Sequence, residues 1–78
     1  MSYHKLNFNA LYNFLFDEGF WIREKRLLIK KIYKCIVCIK ITNQENIIAW
    51  VEPMNAEMKD ICLAQEYIEQ IKEKMNNV

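Results

Sequence analysis

Residues 35–52 read CIVCIKITNQENIIAWVE, two β-branched runs on either side of four turn-prone residues. Runs of this kind around such a break mark a β-hairpin. A loop of Asn43–Asn46 sets Thr42 opposite Ile47, and the pairing follows by counting outward. Ile41 then faces Ile48, Ile39 faces Trp50 and Val37 faces Glu52. Leaving Glu52 aside, those residues form one dry face. Lys40 beside Ala49, Cys38 beside Val51 and Thr42 beside Ile47 form the other.

Working back towards residue 1, FNALYNFLFDEG has helical spacing over about residues 7–18. Leu11, Leu15, Phe8, Tyr12 and Phe16 fall within an arc of about 140°. Asn7 is a candidate N-cap and Gly19 supplies the left-handed stop. Phe14 lies off the arc, either under a second layer or exposed. Between Gly19 and Ile36 there is no Ser, Thr, Asp or Asn to cap a second helix, and no breaker. Residues 20–34 therefore read as extended: a short strand at Phe20–Arg23, a turn near Glu24–Arg26, then one long strand from Leu27 to Thr42.

Beyond the hairpin, Pro53 ends the sheet and Asn55 is the expected cap of a helix over about residues 56–75. Ile61, Ala64, Ile68, Ile71 and Met75 form its apolar stripe, widened by Leu63 and Tyr67. The sum is an α+β chain, a small two-layer domain of helix, two or three antiparallel strands, and helix, with the hairpin at its centre. Its 78 residues make a single domain. An apolar fraction of 53% with one Gly and one Pro excludes a disordered chain. No apolar run approaches the roughly 20 residues of a membrane helix. No charged leader precedes an apolar block, so the expected location is cytoplasmic, a host's cytoplasm if the source is a phage.

Chemistry finds little support. Cys35 and Cys38 have knuckle spacing, but an odd offset along a strand sends them to opposite faces, so no metal or cofactor is expected. His4 is the only histidine, and one Gly cannot build a phosphate-cradling loop. Three cysteines without a secretory leader read as reduced thiols. The chain is not expected to be an enzyme.

Charge is more informative. Residues 1–44 hold eight Lys and Arg against three acids, and residues 45–78 hold three against seven. Arg23, Lys25, Arg26, Lys30, Lys31, Lys34 and Lys40 crowd one segment. On one long strand, Lys30, Lys34 and Lys40 share a face with Ile32, Ile36 and Cys38. A cationic face of this kind can track a phosphate backbone, which makes Arg23, Lys25, Arg26, Lys30, Lys34 and Lys40 the candidates for nucleic-acid binding.

The apolar excess points elsewhere. If both helices cover the same side of the sheet, Ile32, Ile36, Cys38, Ile47 and Val51 face water, with Phe14 exposed as well. That suggests a protein contact or a homodimer around Ile32, Ile36 and Val51. Glu66, Glu69 and Glu73 lie on the polar arc of the last helix, free to meet a basic partner. Nine Lys to two Arg, with much Ile and Asn, fits an AT-rich source such as a low-GC bacterium, its phages or a mobile element. The leading expectation is a small protein-binding domain, an inhibitor of a host or defence complex acting by occupancy. A nucleic-acid-binding regulator is the alternative.

Overall fold

The computed structural model describes residues 8–42 and 46–76. Its elements run α1 (Phe8–Asp17), β1 (Trp21–Glu24), β2 (Leu27–Ile32), β3 (Cys35–Ile41), β4 (Ile47–Pro53) and α2 (Met58–Met75). The four strands form one antiparallel sheet in the order β1-β2-β3-β4, so every connection within it is a local hairpin.

Each boundary has a local cause. Gly19, at φ +103°, ends α1. Phe20 N–H donates to Leu15 C=O at 2.9 Å and Gly19 N–H to Phe16 C=O at 3.0 Å, the paired bonds of a Schellman stop. The Asn7 cap expected for this helix and His4 lie outside the described residues. Glu57, rather than Asn55, caps α2. The Asp60 carboxylate accepts from the Glu57 N–H at 3.1 Å, while Asn55 is a left-handed turn residue at φ 52°. The helix therefore starts two residues later than its polar spacing suggests.

The long strand expected from Leu27 to Thr42 is two strands. Tyr33 and Lys34 both take positive φ, 53° and 58°, and Ile32 pairs with Cys35. Positive φ at both central residues is the pattern of a type I′ turn, whose twist suits a two-residue hairpin. It normally carries Asn and Gly, so neither residue announces it. Met54 N–H donates to Lys34 C=O at 3.0 Å and ties the end of β4 to the same turn.

The β3–β4 register also differs, by one residue. Ile41 pairs with Ile47, Ile39 with Ala49, Cys38 with Trp50 and Val37 with Val51. Thr42 N–H donates to Asn46 C=O at 2.8 Å, and Asn46 N–H donates to Thr42 Oγ1 at 3.0 Å. Thr42 and Asn46 thus close the loop together, where the four-residue loop left Asn46 unpaired. A slip of one exchanges the faces of β4. Trp50 and Ile48 move to the side of Cys38, and Ala49 and Val51 to the side of Val37.

Both helices lie on that second side. Leu11 and Leu15 of α1, Phe20, Leu28 of β2, Cys35, Val37, Ile39 and Ile41 of β3, and Ala64, Ile68, Ile71 and Met75 of α2 form one buried cluster. Phe14 packs against it and is half-buried, while Phe16, placed on the apolar arc by spacing, is 44% exposed. Ile61 and Tyr67 join the cluster from α2, and Leu63 stays exposed. The domain is two layers, with both helices on one face of the sheet and no described helix on the other.

A left-handed backbone costs a non-glycine residue roughly 1–2 kcal/mol. Replacing Tyr33 by Asn and Lys34 by Gly is therefore expected to stabilise the fold by about 1 kcal/mol, raising Tm by about 4–8 °C. Thermal unfolding followed by circular dichroism checks this, and an unchanged or lower Tm contradicts it.

Candidate partner-binding surface

The uncovered face is built from the alternate residues of each strand. Trp21 pairs with Ile29, Ile29 with Cys38 and Cys38 with Trp50, a single row across all four strands. Two tryptophans therefore bracket an aliphatic and a thiol. On one side of this row lie Leu27, Lys40 and Ile48; on the other lie Lys31, Ile36 and Glu52. Trp21 is 45% and Ile48 49% exposed, and Trp50 and Ile36 are half-buried.

The middle of the row is dry although neither α1 nor α2 lies over it. Cys38 is fully buried and Ile29 almost so. Burial, followed by the nearby Glu52 carboxylate, pushes the Cys38 thiol up to about 11, with the Arg23 charge opposing. Cys35, in the core beneath the helices, is raised by its own burial and by Asp60. Both shifts disfavour the thiolate, the reactive form of cysteine.

A polar latch crosses the same face. Trp50 Nε1–H donates to Glu52 Oε2 at 3.0 Å, and Arg23 from β1 reaches Glu52 Oε1 at 3.5 Å. The Trp50 hydrogen bond, and then the Arg23 charge, hold the Glu52 carboxyl below its usual range. Arg23 and Glu52 are both nearly half exposed, so the pair orients side chains more than it stabilises the fold.

The expected cationic row is broken up by the Tyr33–Lys34 turn. Lys40 stays on the open face, Lys34 sits in the turn, and Lys30 points under the helices. Lys30 Nζ donates to Glu18 C=O at 2.5 Å and to the Tyr67 hydroxyl at 2.8 Å. It also lies 4.7 Å from the Tyr67 ring centroid and 5.9 Å from that of Phe20. This lysine clamps α1, β2 and α2 together. Lys25, Arg26 and Lys40 remain as a group, around a hollow of about 470 Å³ at one end of the sheet. There the Arg26 guanidinium donates to Thr42 C=O at 3.0 Å.

Ile32, Ile36 and Val51, expected on one uncovered surface, do not share one. Ile36 is on the open face, whereas Ile32 and Val51 pack against the core beneath the helices, as does Ile47. Glu66, Glu69 and Glu73 are exposed along α2, with Lys72 3.9 Å from Glu69. The open-face residues that sequence reading missed are Trp21, Ile48 and Trp50, while Arg23, named there as a nucleic-acid candidate, lies beside Glu52 instead. The usable signal was the Thr42–Asn46 pair, since Thr and Asn at the base of a loop satisfy each other locally.

Among the described residues, no helix is long and apolar enough to cross a membrane. Comparison with known protein families, with characterised proteins and with solved structures returns no match.

The Glu52 latch has a pH signature. A carboxyl whose folded pKa is depressed contributes stability above its unfolded pKa and loses it as pH falls through the folded value. Tryptophan emission is expected to titrate with a midpoint below the reference 4.5. The step should vanish in Glu52→Gln and move to higher pH in Arg23→Ala. A midpoint at or above 4.5 in the unmodified protein contradicts the latch.

Proposed function

We propose that this protein is a non-enzymatic protein-binding domain whose contact surface is the helix-free face of the sheet. The observation that supports it is the Trp21–Ile29–Cys38–Trp50 row, an apolar strip with exposed tryptophan at one end and half-buried tryptophan at the other. Tryptophan and arginine are the residues most enriched where protein interfaces concentrate their energy. Ile36 and Ile48 extend the strip, and Lys31 and Lys40 stand exposed on the same face. An apolar centre beside charged neighbours is the ordinary anatomy of a protein contact.

Such a domain works by occupancy. Burial holds the Cys35 and Cys38 thiols towards their protonated form, and a rigid sheet face changes little on binding. Covering a working surface of a larger complex is what an inhibitor from a phage or mobile element does, and it is the biological role we infer for this one.

Nucleic-acid binding is the weaker reading. Lys30 is engaged by Glu18 and Tyr67, Arg23 by Glu52 and Arg26 by the Thr42 carbonyl, so three members of the cationic set already have protein partners. The Lys25, Arg26 and Lys40 group is what that reading retains.

The test is capture from a lysate of the source or host organism, with and without nuclease, using the unmodified protein, Trp21→Ala and Ile36→Lys. A nuclease-resistant partner should be lost with either variant while circular dichroism stays unchanged. Truncating a hot-spot tryptophan costs 2 kcal/mol or more, about 30-fold in affinity. Retention of the partner by both variants refutes the sheet-face reading. Salt-sensitive oligonucleotide binding that disappears in Lys25→Gln/Lys40→Gln would transfer the function to the basic end. Lys30 must be left alone in that experiment because it holds the helices.

A further inference from the structure

The two edges of the sheet are treated differently. β1 is four residues long, interrupted by a register shift between Ile22 and Glu24, and carries Arg23 and Glu24. Short, bulged and charged edges resist pairing with another chain. β4 is seven residues long and regular, and Ile47–Val51 hold no charge and no proline. Its outer edge makes no backbone hydrogen bond among the described residues.

The groups on that edge can be named. Thr42 bonds to Asn46 and Lys34 to Met54, so every even-numbered residue of β4 turns its N–H and C=O towards β3. Ile47, Ala49 and Val51 turn theirs outward. The same three residues line a groove between β4 and α2. One hollow of about 320 Å³ is bounded by Ala49, Val51, Ile68 and Glu69, and a second of about 200 Å³ by Ile47 and Met75. Lys72 borders both.

We propose that a second copy of this chain occupies the edge, β4 against β4 across a two-fold axis, giving a continuous eight-stranded sheet. One antiparallel register pairs all three outward residues: Ala49 opposite Ala49 of the other copy, and Ile47 opposite Val51. Every outward N–H and C=O of the three then has a partner. Cross-strand neighbours share a face, so Ile47 of each copy enters the larger hollow of the other beside Val51, and Val51 enters the smaller one beside Ile47. On the open face Ile48 meets Trp50.

Charge favours the same occupant. As residue numbers rise along α2 they fall along the adjoining β4, from Ile68 and Glu69 beside Val51 to Met75 beside Ile47. The two-fold axis through Ala49 therefore brings Glu69 of one copy to Lys72 of the other, twice. This interface is self-complementary in strand, apolar side chains and charge. It does not depend on the sheet-face reading, and it leaves Trp21 uncovered.

Ala49→Pro provides the direct test, because the proline removes only an outward N–H and leaves the β3–β4 ladder whole. By sedimentation the unmodified protein should be dimeric at high micromolar concentration and Ala49→Pro monomeric, with matching circular dichroism. Amide exchange at Ile47, Ala49 and Val51 should slow as concentration rises. Glu69→Lys should weaken the dimer severalfold, and Glu69→Lys/Lys72→Glu should restore it, a pair that remains decisive should the proline variant fail to fold. An unmodified protein that stays monomeric overturns the proposal, including the case in which the edge takes a strand from another protein. So does a dimer indifferent to these changes but broken by Ile36→Lys, which would place the second copy on the sheet face.

Discussion

The structure depends on the double pairing of β3. This strand alone is bonded along its length on both sides, its odd-numbered residues to β2 and its even-numbered residues to β4. Its side chains alternate between faces with the same period, Val37, Ile39 and Ile41 towards the helices and Ile36, Cys38 and Lys40 away from them. A slip of one residue against either neighbour would set apolar side chains opposite the wrong face along a whole strand. Everything else is laid against this register: Leu28 and Ile47 continue the covered side, Ile29 and Trp50 the open one. The helices follow because only the first of these sides offers an apolar surface broad enough for both.

How much of this was legible from residues follows from where the stop signals are. Gly19 ends α1 because no other residue takes φ +103° without strain, and glycine is visible in a sequence. The α2 stripe was legible because Ala64, Ile68, Ile71 and Met75 recur with helical period and are the buried residues of that helix. The Tyr33–Lys34 turn was not. Pairing on both flanks holds two ordinary residues in a conformation that their local preference disfavours, so tertiary structure overrides the turn chemistry. The face of Trp50 was lost through one miscounted loop residue. The two-layer architecture survived that error because a slip exchanges faces without changing the number of layers.

Lys30 shows why counting cations misplaced the candidate site. A run of lysines reads as a positive surface only if every member projects to one side. Folding the run at Tyr33 sends Lys30 inward, where hydrogen bonds from its ammonium to a helix-end carbonyl and a phenol offset its loss of water. The carbonyl belongs to Glu18 at the end of α1, where the helix dipole also favours a cation. One side chain thus carries structural work that the sequence had assigned to ligand binding. What remains positive on the open face is Lys31 and Lys40, with Arg23 already committed to Glu52.

The two tryptophans of the open face are not equivalent, and the difference constrains any partner. The Trp50 indole N–H is satisfied by Glu52, so Trp50 can be covered completely without leaving a buried donor unpaired. Trp21 has no hydrogen bond of this kind among the described residues and relies on solvent. A partner that seals Trp21 must supply an acceptor, or else leave the indole edge at a wet rim. Removing one member of a buried hydrogen-bonded charge pair is far costlier than covering both together, so the Arg23–Glu52 contact must be buried whole or left at the periphery. A contact over Ile29, Cys38 and Trp50, with the indole edge of Trp21 and the Arg23 guanidinium at its margin, meets all three conditions. It keeps the driest part of the strip at the centre, where exclusion of water from both partners contributes most.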